Sequence, residues 1–324
     1  MIDNNNSLVA FLLDGKGSGV RIGWNEVLTW SPRQGYLWVH LNLTEQYARD
    51  WLSDESGLDL ISTSILLAPD SRPRSLLEPK GLVVCLRGVN QNPGQDPEDM
   101  VSIRLWLDKN RVITTHKRRL LSTEDIEKAL EEGCGPKTPA DFLRMLNERL
   151  INRMSDVIEV IDDTADSLEE DVLNEESYLL RSKIADTRRI SIMLRRFLAP
   201  QREALNRLAQ ENTPFLNQFD KVHLREATDR VVRCIEDLDS IRDRSAVTQE
   251  ELASRLSEQL DRRMYLLSFV AVIFLPLSFI TGLLGINVGG IPGANYQWAF
   301  FIVCSALLGL LFLMLFAFHR KKWI

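Results

Sequence analysis

The sequence predicts an α+β soluble domain, an α/β sheet plus long helices, that continues into two C-terminal transmembrane helices. Three observations predict it. Short runs rich in Val, Ile, Leu and Trp alternate with Gly-, Pro- and Asn-rich breaks up to about residue 120. From about Pro139 prolines become rare and helical periodicity takes over. Of 39 Lys and Arg and 45 Asp and Glu, none lies between Met264 and Phe318.

Taken in order, the strands come first. "LVAFLL" (8–13), "YLWVHLNL" (36–43), "LVVCLRGV" (82–89), "VSIRLWLD" (101–108) and "RVITTH" (111–116) read as strands, divided by "DGKGSG", "SPRQG", "NQNPGQDPED" and "DKN". The last break is short and polar, which predicts a hairpin of 101–108 with 111–116. Helical pattern appears at 44–56, 58–68 and 122–132.

Three long helical stretches follow, with breaks expected near Asn174 and around Pro200 to Pro214. Phe142, Leu146, Leu150, Met154, Val157, Ile161, Leu168 and Val172 mark one face of the first. Ten carboxylates and no basic residue lie between Met154 and Leu180, which reads either as a solvated face or as a surface that gathers cations. From about Phe219 to Leu284 only Pro276 interrupts helical sequence. Such a rod, ~100 Å long at ~1.5 Å per residue, must be packed to be stable. Ile235, Leu238, Ile241, Leu252, Leu256 and Leu260 offer a packing face, and Asp243, Glu250, Ser257 and Asp261 fall largely opposite.

The uncharged segment holds two spans, about Met264–Leu284 and Trp298–Phe318. Each has the ~20 apolar residues needed to cross ~30 Å of hydrocarbon. The competing reading is a buried helical hairpin in a soluble core, which rarely stays uncharged on every face. Arg262 and Arg263 precede the first span, His319, Arg320, Lys321 and Lys322 follow the second, and the intervening loop is uncharged. The positive-inside rule then puts both termini in the cytoplasm. "MIDNNNSL" lacks the regions of a signal peptide. The expected divisions are a cytoplasmic α/β domain (1–138), a long-helix stalk (139–263), a first membrane helix (264–284), an outer loop (285–297), a second membrane helix (298–318) and a basic tail (319–324).

Catalytic signatures are missing: the sequence has no P-loop, no G-x-S-x-G and no H-E-x-x-H, so an enzyme is not expected. His40, His116, His223 and His319 are scattered, and Cys85, Cys134, Cys234 and Cys304 form no C-x-x-C. A net charge of −6 argues against a nucleic-acid partner.

Two spans cannot enclose an ion path alone, so a conducting role requires an oligomer. Counting back from Asn287 along the first span gives Ser278, Leu275, Ala271, Leu267 or Ser268, and Met264, a mostly apolar stripe that would pass a hydrated ion without gripping it. Lipid or helix contact would use the same periodicity.

"IFLPLSFITGLLGIN" combines a Pro-containing span with a terminal G-x-N, and "VGGIPG" follows it. Together with the two C-terminal spans and the long helix entering the first, this resembles the CorA superfamily of divalent-cation transport proteins, and within it the ZntB zinc-transporter branch. "HLN" (40–42), "RPR" (72–74) and "LAPQRE" (198–203) are similar to positions of that branch, so the resemblance covers nearly the whole chain. The superfamily usually has Met at the middle of G-x-N, where this chain has Ile286.

The resemblance implies a homopentamer in a bacterial inner membrane, with a cytoplasmic funnel. The first membrane helix would line the pore and the second would face lipid. Gly285, Ile286 and Asn287 would form the outer mouth, with a hydrated ion near the Asn287 amides. Asp261 and Met264 would sit near the inner mouth, Leu267, Ala271, Leu275 and Ser278 between, and Asp243 and Glu250 on the funnel. The outer loop lacks the acidic residues of magnesium-transporting relatives, which moves the expectation to Zn²⁺, with Cd²⁺, Ni²⁺ and Co²⁺ also passing. Proton coupling and uptake are expected, with Asp261 or His319 at the edges, or the funnel carboxylates, as proton carriers; efflux is the reverse possibility. No resident cofactor is expected. The alternatives are a Mg²⁺ or Co²⁺ channel gated by divalent ions and a membrane-anchored scaffold.

Overall fold

The computed structural model describes residues 8–69, 72–174, 178–286 and 296–320. It divides into two compact units, Met1–Glu250 and Glu251–Ile324.

The first unit is built on a seven-stranded sheet. Its strands are β1 (Leu8–Leu13), β2 (Gly19–Ile22), β3 (Tyr36–Asn42), β4 (Arg74–Glu78), β5 (Gly81–Gly88), β6 (Val101–Leu107) and β7 (Arg111–His116). They run in the order β2-β1-β3-β7-β6-β5-β4. Among the described strands only β3 and β7 pair in parallel; the other neighbours are antiparallel. The predicted β6–β7 hairpin forms, and Asp108 shapes its turn by accepting hydrogen bonds from the backbone N–H of Asn110 (2.7 Å) and Arg111 (2.8 Å).

Both faces of the sheet are covered. Short helices α1 (Trp24–Thr29), α2 (Gln46–Asp50) with a π turn (Trp51–Glu55), and α3 (Leu60–Leu67) accompany one core, where Val39, Leu41, Val83, Cys85 and Trp106 meet Ala48, Leu52 and Leu66. Alternate residues Leu82, Val84 and Leu86 enter the other core, with α4 (Leu121–Glu131), α5 (Pro139–Asn174), α6 (Tyr178–Gln210) and the first part of α7 (Gln218–Gly285). Every residue of β5 is buried, as a strand covered on both sides requires. Gly81 is forced by its neighbour: a Cβ there would lie 2.5 Å from the Trp106 ring.

The long helices start where the sequence supplies caps. Thr138 Oγ1 accepts from the Asp141 N–H (3.1 Å), with Pro139 at the first helical position. At α7, Asn217 and Asp220 cap one another: the Asn217 N–H donates to Asp220 (2.9 Å) and the Asp220 N–H to Asn217 (3.0 Å).

Three expectations need correction. The strands β2 and β4 were not anticipated; both are short edge strands. The break expected around Pro200 to Pro214 falls at its far end, over 211–217, whereas Pro200 does not end a helix, because α6 runs through it to Gln210. The helix expected at 44–56 is split between α2 and the π turn.

The second unit contains the C-terminal part of α7 and all of α8 (Ala299–Arg320). Pro276 lies inside α7 without ending it. Both helices are long and apolar enough to cross a membrane, and almost nothing in their most apolar stretches is buried. That exposure is not what a hairpin buried in the core of its own chain would show.

Candidate ion-conducting segment

The residues expected to line a pore share one helical face. Asp261, Met264, Leu267, Ala271, Leu275 and Ser278 follow spacings of three and four along α7, and each is exposed. The apolar ones are open to a degree no soluble surface favours: Met264 is 60%, Leu267 66% and Leu275 72% exposed.

The opposite face of α7 is occupied. Ile273 is buried, and Phe269, Pro276, Leu277 and Ile280 are half-buried. The Phe269 ring meets Phe318 of α8 edge-on at 5.4 Å. On α8 the half-buried residues Val303, Leu307, Leu310, Met314 and Phe318 form a matching stripe. At ~100° per residue, the two faces of α7 are centred about 170° apart. Cys304 is half-buried.

At the outer end, Gly285 closes α7 and Ile286 follows it, exposed. Asn287 and the "VGGIPGAN" stretch lie outside the described residues. A Cβ on Gly282 or Gly285 would meet nothing within 4 Å, so nothing in the single chain demands glycine there. The Thr281 hydroxyl is turned back on its own helix, donating to the carbonyls of Leu277 (3.0 Å) and Ser278 (3.1 Å).

On the first unit, Asp243 and Glu250 are exposed, opposite the buried Ile235, Leu238 and Ile241. Leu252 is buried as expected, whereas Leu256 is half-buried and Leu260 half-exposed. Asp243 already has a cation: Arg242 donates to it from Nε (2.9 Å) and Nη2 (2.8 Å). The acidic run of α5 has one too. Arg244 of α7 binds Asp162 and Asp166 and lies 3.7 Å from Glu169. Part of that run is therefore a clasp between helices, a role that its composition alone did not disclose.

Two of the scattered histidines come together. Because β3 and β7 are parallel neighbours with Asn42 opposite His116, the His40 and His116 rings stack at 4.2 Å. His40 is buried, and its Nδ1 lies 2.7 Å from Thr114 Oγ1, which also accepts from Trp38 Nε1 (2.9 Å). Burial, with the neighbouring imidazole, pushes His40 well below the usual histidine range. Burial lowers His116 to about 4, although the Glu124 charge opposes it. Glu124 is held ionised by Arg119, while burial raises Glu127.

A sheet domain leading by one helix into two helices apolar enough to cross a membrane, with an exposed stripe on the first, fits an integral membrane protein. A family model described as "CorA-like Mg2+ transporter protein" matches residues 33–320, and the chain belongs to that family. It is thus a member of a family of divalent-cation transporters, not of enzymes. The chain is 39% identical over 326 residues to the "Divalent cation transporter CmaX" of Pseudomonas aeruginosa, covering 99% of this chain and 98% of that one. It is 32% identical over 318 residues to the "Zinc transport protein ZntB" of Yersinia enterocolitica, covering 98% and 96%. The solved structure of full-length CmaX superposes with a TM-score of 0.84 at 38% identity, covering 98% of each chain.

Proposed function

We propose that several copies of this chain, five by resemblance to the superfamily, surround a pore lined by the Asp261–Ser278 face of α7. The pore carries Zn²⁺ inward together with protons, across a membrane whose cytoplasmic side holds both termini. One observation carries the reading: the stripe lies opposite the face of α7 that is buried in the single chain. The chain's own second span leaves it uncovered, so further copies are the partners that fit. The Gly285-Ile286-Asn287 mouth would meet the ion still hydrated, which suits a stripe without His or Cys ligands. The uncharged outer loop and the likeness to a zinc transport protein support Zn²⁺ over Mg²⁺.

Uptake of Zn²⁺ and Mg²⁺ into proteoliposomes, with and without an imposed pH gradient, tests this. Zinc flux that follows the gradient is expected. Magnesium flux driven by membrane potential and indifferent to the gradient would favour a CorA-type channel, as the family description suggests. Zinc leaving loaded vesicles against the expected direction would mean efflux, and absence of flux would leave an anchor. Asp261→Asn with unchanged pH dependence would remove Asp261 from proton coupling.

A further inference from the structure

The proposed pore leaves two sequence motifs unused, "RPR" (72–74) and "LAPQRE" (198–203). The fold brings them together. Pro73 and Arg74, at the start of β4, line one cavity of about 790 Å³ with Ala199, Pro200 and Arg202 of α6. Arg207 and Glu211, further along α6, line it too. The cavity lies wholly within the first unit.

A volume of this size suits a small organic ligand. Its walls are fixed by the chain itself. Ser75 Oγ donates to the Ala204 carbonyl (3.2 Å), which ties β4 to α6. Gln201 Oε1 accepts from the Arg87 N–H of β5 (2.8 Å), which ties α6 to the next strand. Ser75 and Gln201 are both buried.

We propose that this cavity binds a nucleoside phosphate, with the Arg74 and Arg207 guanidiniums on the phosphate and the Glu211 carboxylate on the ribose hydroxyls.

The charges select the class. Of the three arginines, Arg202 is taken by Glu203. Arg74 and Arg207 have no ion pair or hydrogen bond among the described residues, although Glu203 and Glu211 stand four residues to either side of Arg207 on α6. A free guanidinium offers a fork of N–H donors that fits phosphate oxygens two at a time. These two forks come from different elements, a strand and a helix, so one phosphate can be held from two directions. Glu211 opposes a ligand that is anionic throughout. It suits one that is anionic at one end and carries hydroxyl donors at the other, because a carboxylate accepts hydrogen bonds from ribose hydroxyls. Pro73, Ala199 and Pro200 give an apolar wall for a base. Inorganic phosphate alone would leave most of the volume unused.

The test uses the full-length protein in detergent, with EDTA present so that no metal bridges ligand and protein. Calorimetric titration with AMP is expected to show saturable binding at one site per chain. Adenosine and inorganic phosphate should each bind at least ten-fold more weakly, since each lacks one half of the recognition. Arg74→Gln and Arg207→Gln should each weaken AMP about ten-fold or more, and Glu211→Gln should weaken AMP without weakening inorganic phosphate. Both arginines are exposed, so these variants should keep the wild-type melting temperature. Absence of saturable AMP binding overturns the proposal. So does inorganic phosphate binding as tightly as AMP, or an AMP affinity that neither arginine variant changes. Binding is measured without flux, so this result stands or falls apart from the transported ion.

Discussion

The two units handle apolar surface in opposite ways. In the first, Trp38, Phe11, Phe142 and Trp106 are buried by their own chain, layer on layer. In the second, Phe274, Leu275, Phe300 and Phe312 are more than half exposed, and among the described large apolar residues only Leu252 and Ile273 are buried. One unit covers its large apolar side chains with its own chain; the other leaves most of its own uncovered, and on the proposed reading lipid and further copies cover them. The same hydrophobic effect acts on both, and what differs is where the burying material comes from.

The contrast is most sharply broken by deleting a side chain from each. Phe142→Ala should cost about 3–5 kcal/mol, read by denaturant unfolding of the full chain. Leu275→Ala, despite a similar loss of apolar area, should leave that transition in place and change ion flux instead. A pH titration comes next. His116 is half-buried and desolvated, so its folded value of about 4 lies below the unfolded 6.5. The domain is fully stabilised above about pH 6.5 and loses stability as pH falls toward 4, by up to about 3 kcal/mol. The melting temperature of His116→Gln should fall less over that window than that of wild type.

A pair of glycines sharpens the comparison further. Gly81→Ala would drive a Cβ into the Trp106 ring and should cost about 1–3 kcal/mol. Gly282→Ala meets open space in the single chain, so any effect should appear only as weaker assembly, measured by native mass spectrometry. The smallest effect is expected from Arg244→Ala. Its carboxylate partners are substantially exposed, so the loss should be about 1 kcal/mol at most and should shrink as salt is raised.

Periodicity made most of the architecture readable. β1 and β7 have the very bounds that their apolar runs suggested, and the two spans announce themselves by the lack of charge. The edge strands were hidden for a physical reason. β2 is four residues set among turn-forming glycines, and β4 begins with an arginine beside Pro73, so neither carries the apolar run of a covered strand. Pro200 misled because packing of Leu198, Ala204, Leu205 and Leu208 holds α6 together across a missing hydrogen bond. The stripe of α7 could be read because a helix converts spacing directly into a face. Arg244 and the histidine pair could not, since their partners come from helices and strands that only the fold brings together.

The parallel pairing of β3 with β7 has a consequence in time. Its two strands are separated by three others in sequence order, and both must find places on opposite sides of one ladder. Such a closure is entropically expensive and belongs to the slow, non-local part of folding. A growing chain carries His40 well before it has made His116. The two rings can meet only when the middle of the sheet has zipped shut. Their stacking therefore reports that the β3–β7 ladder at the middle of the sheet has closed.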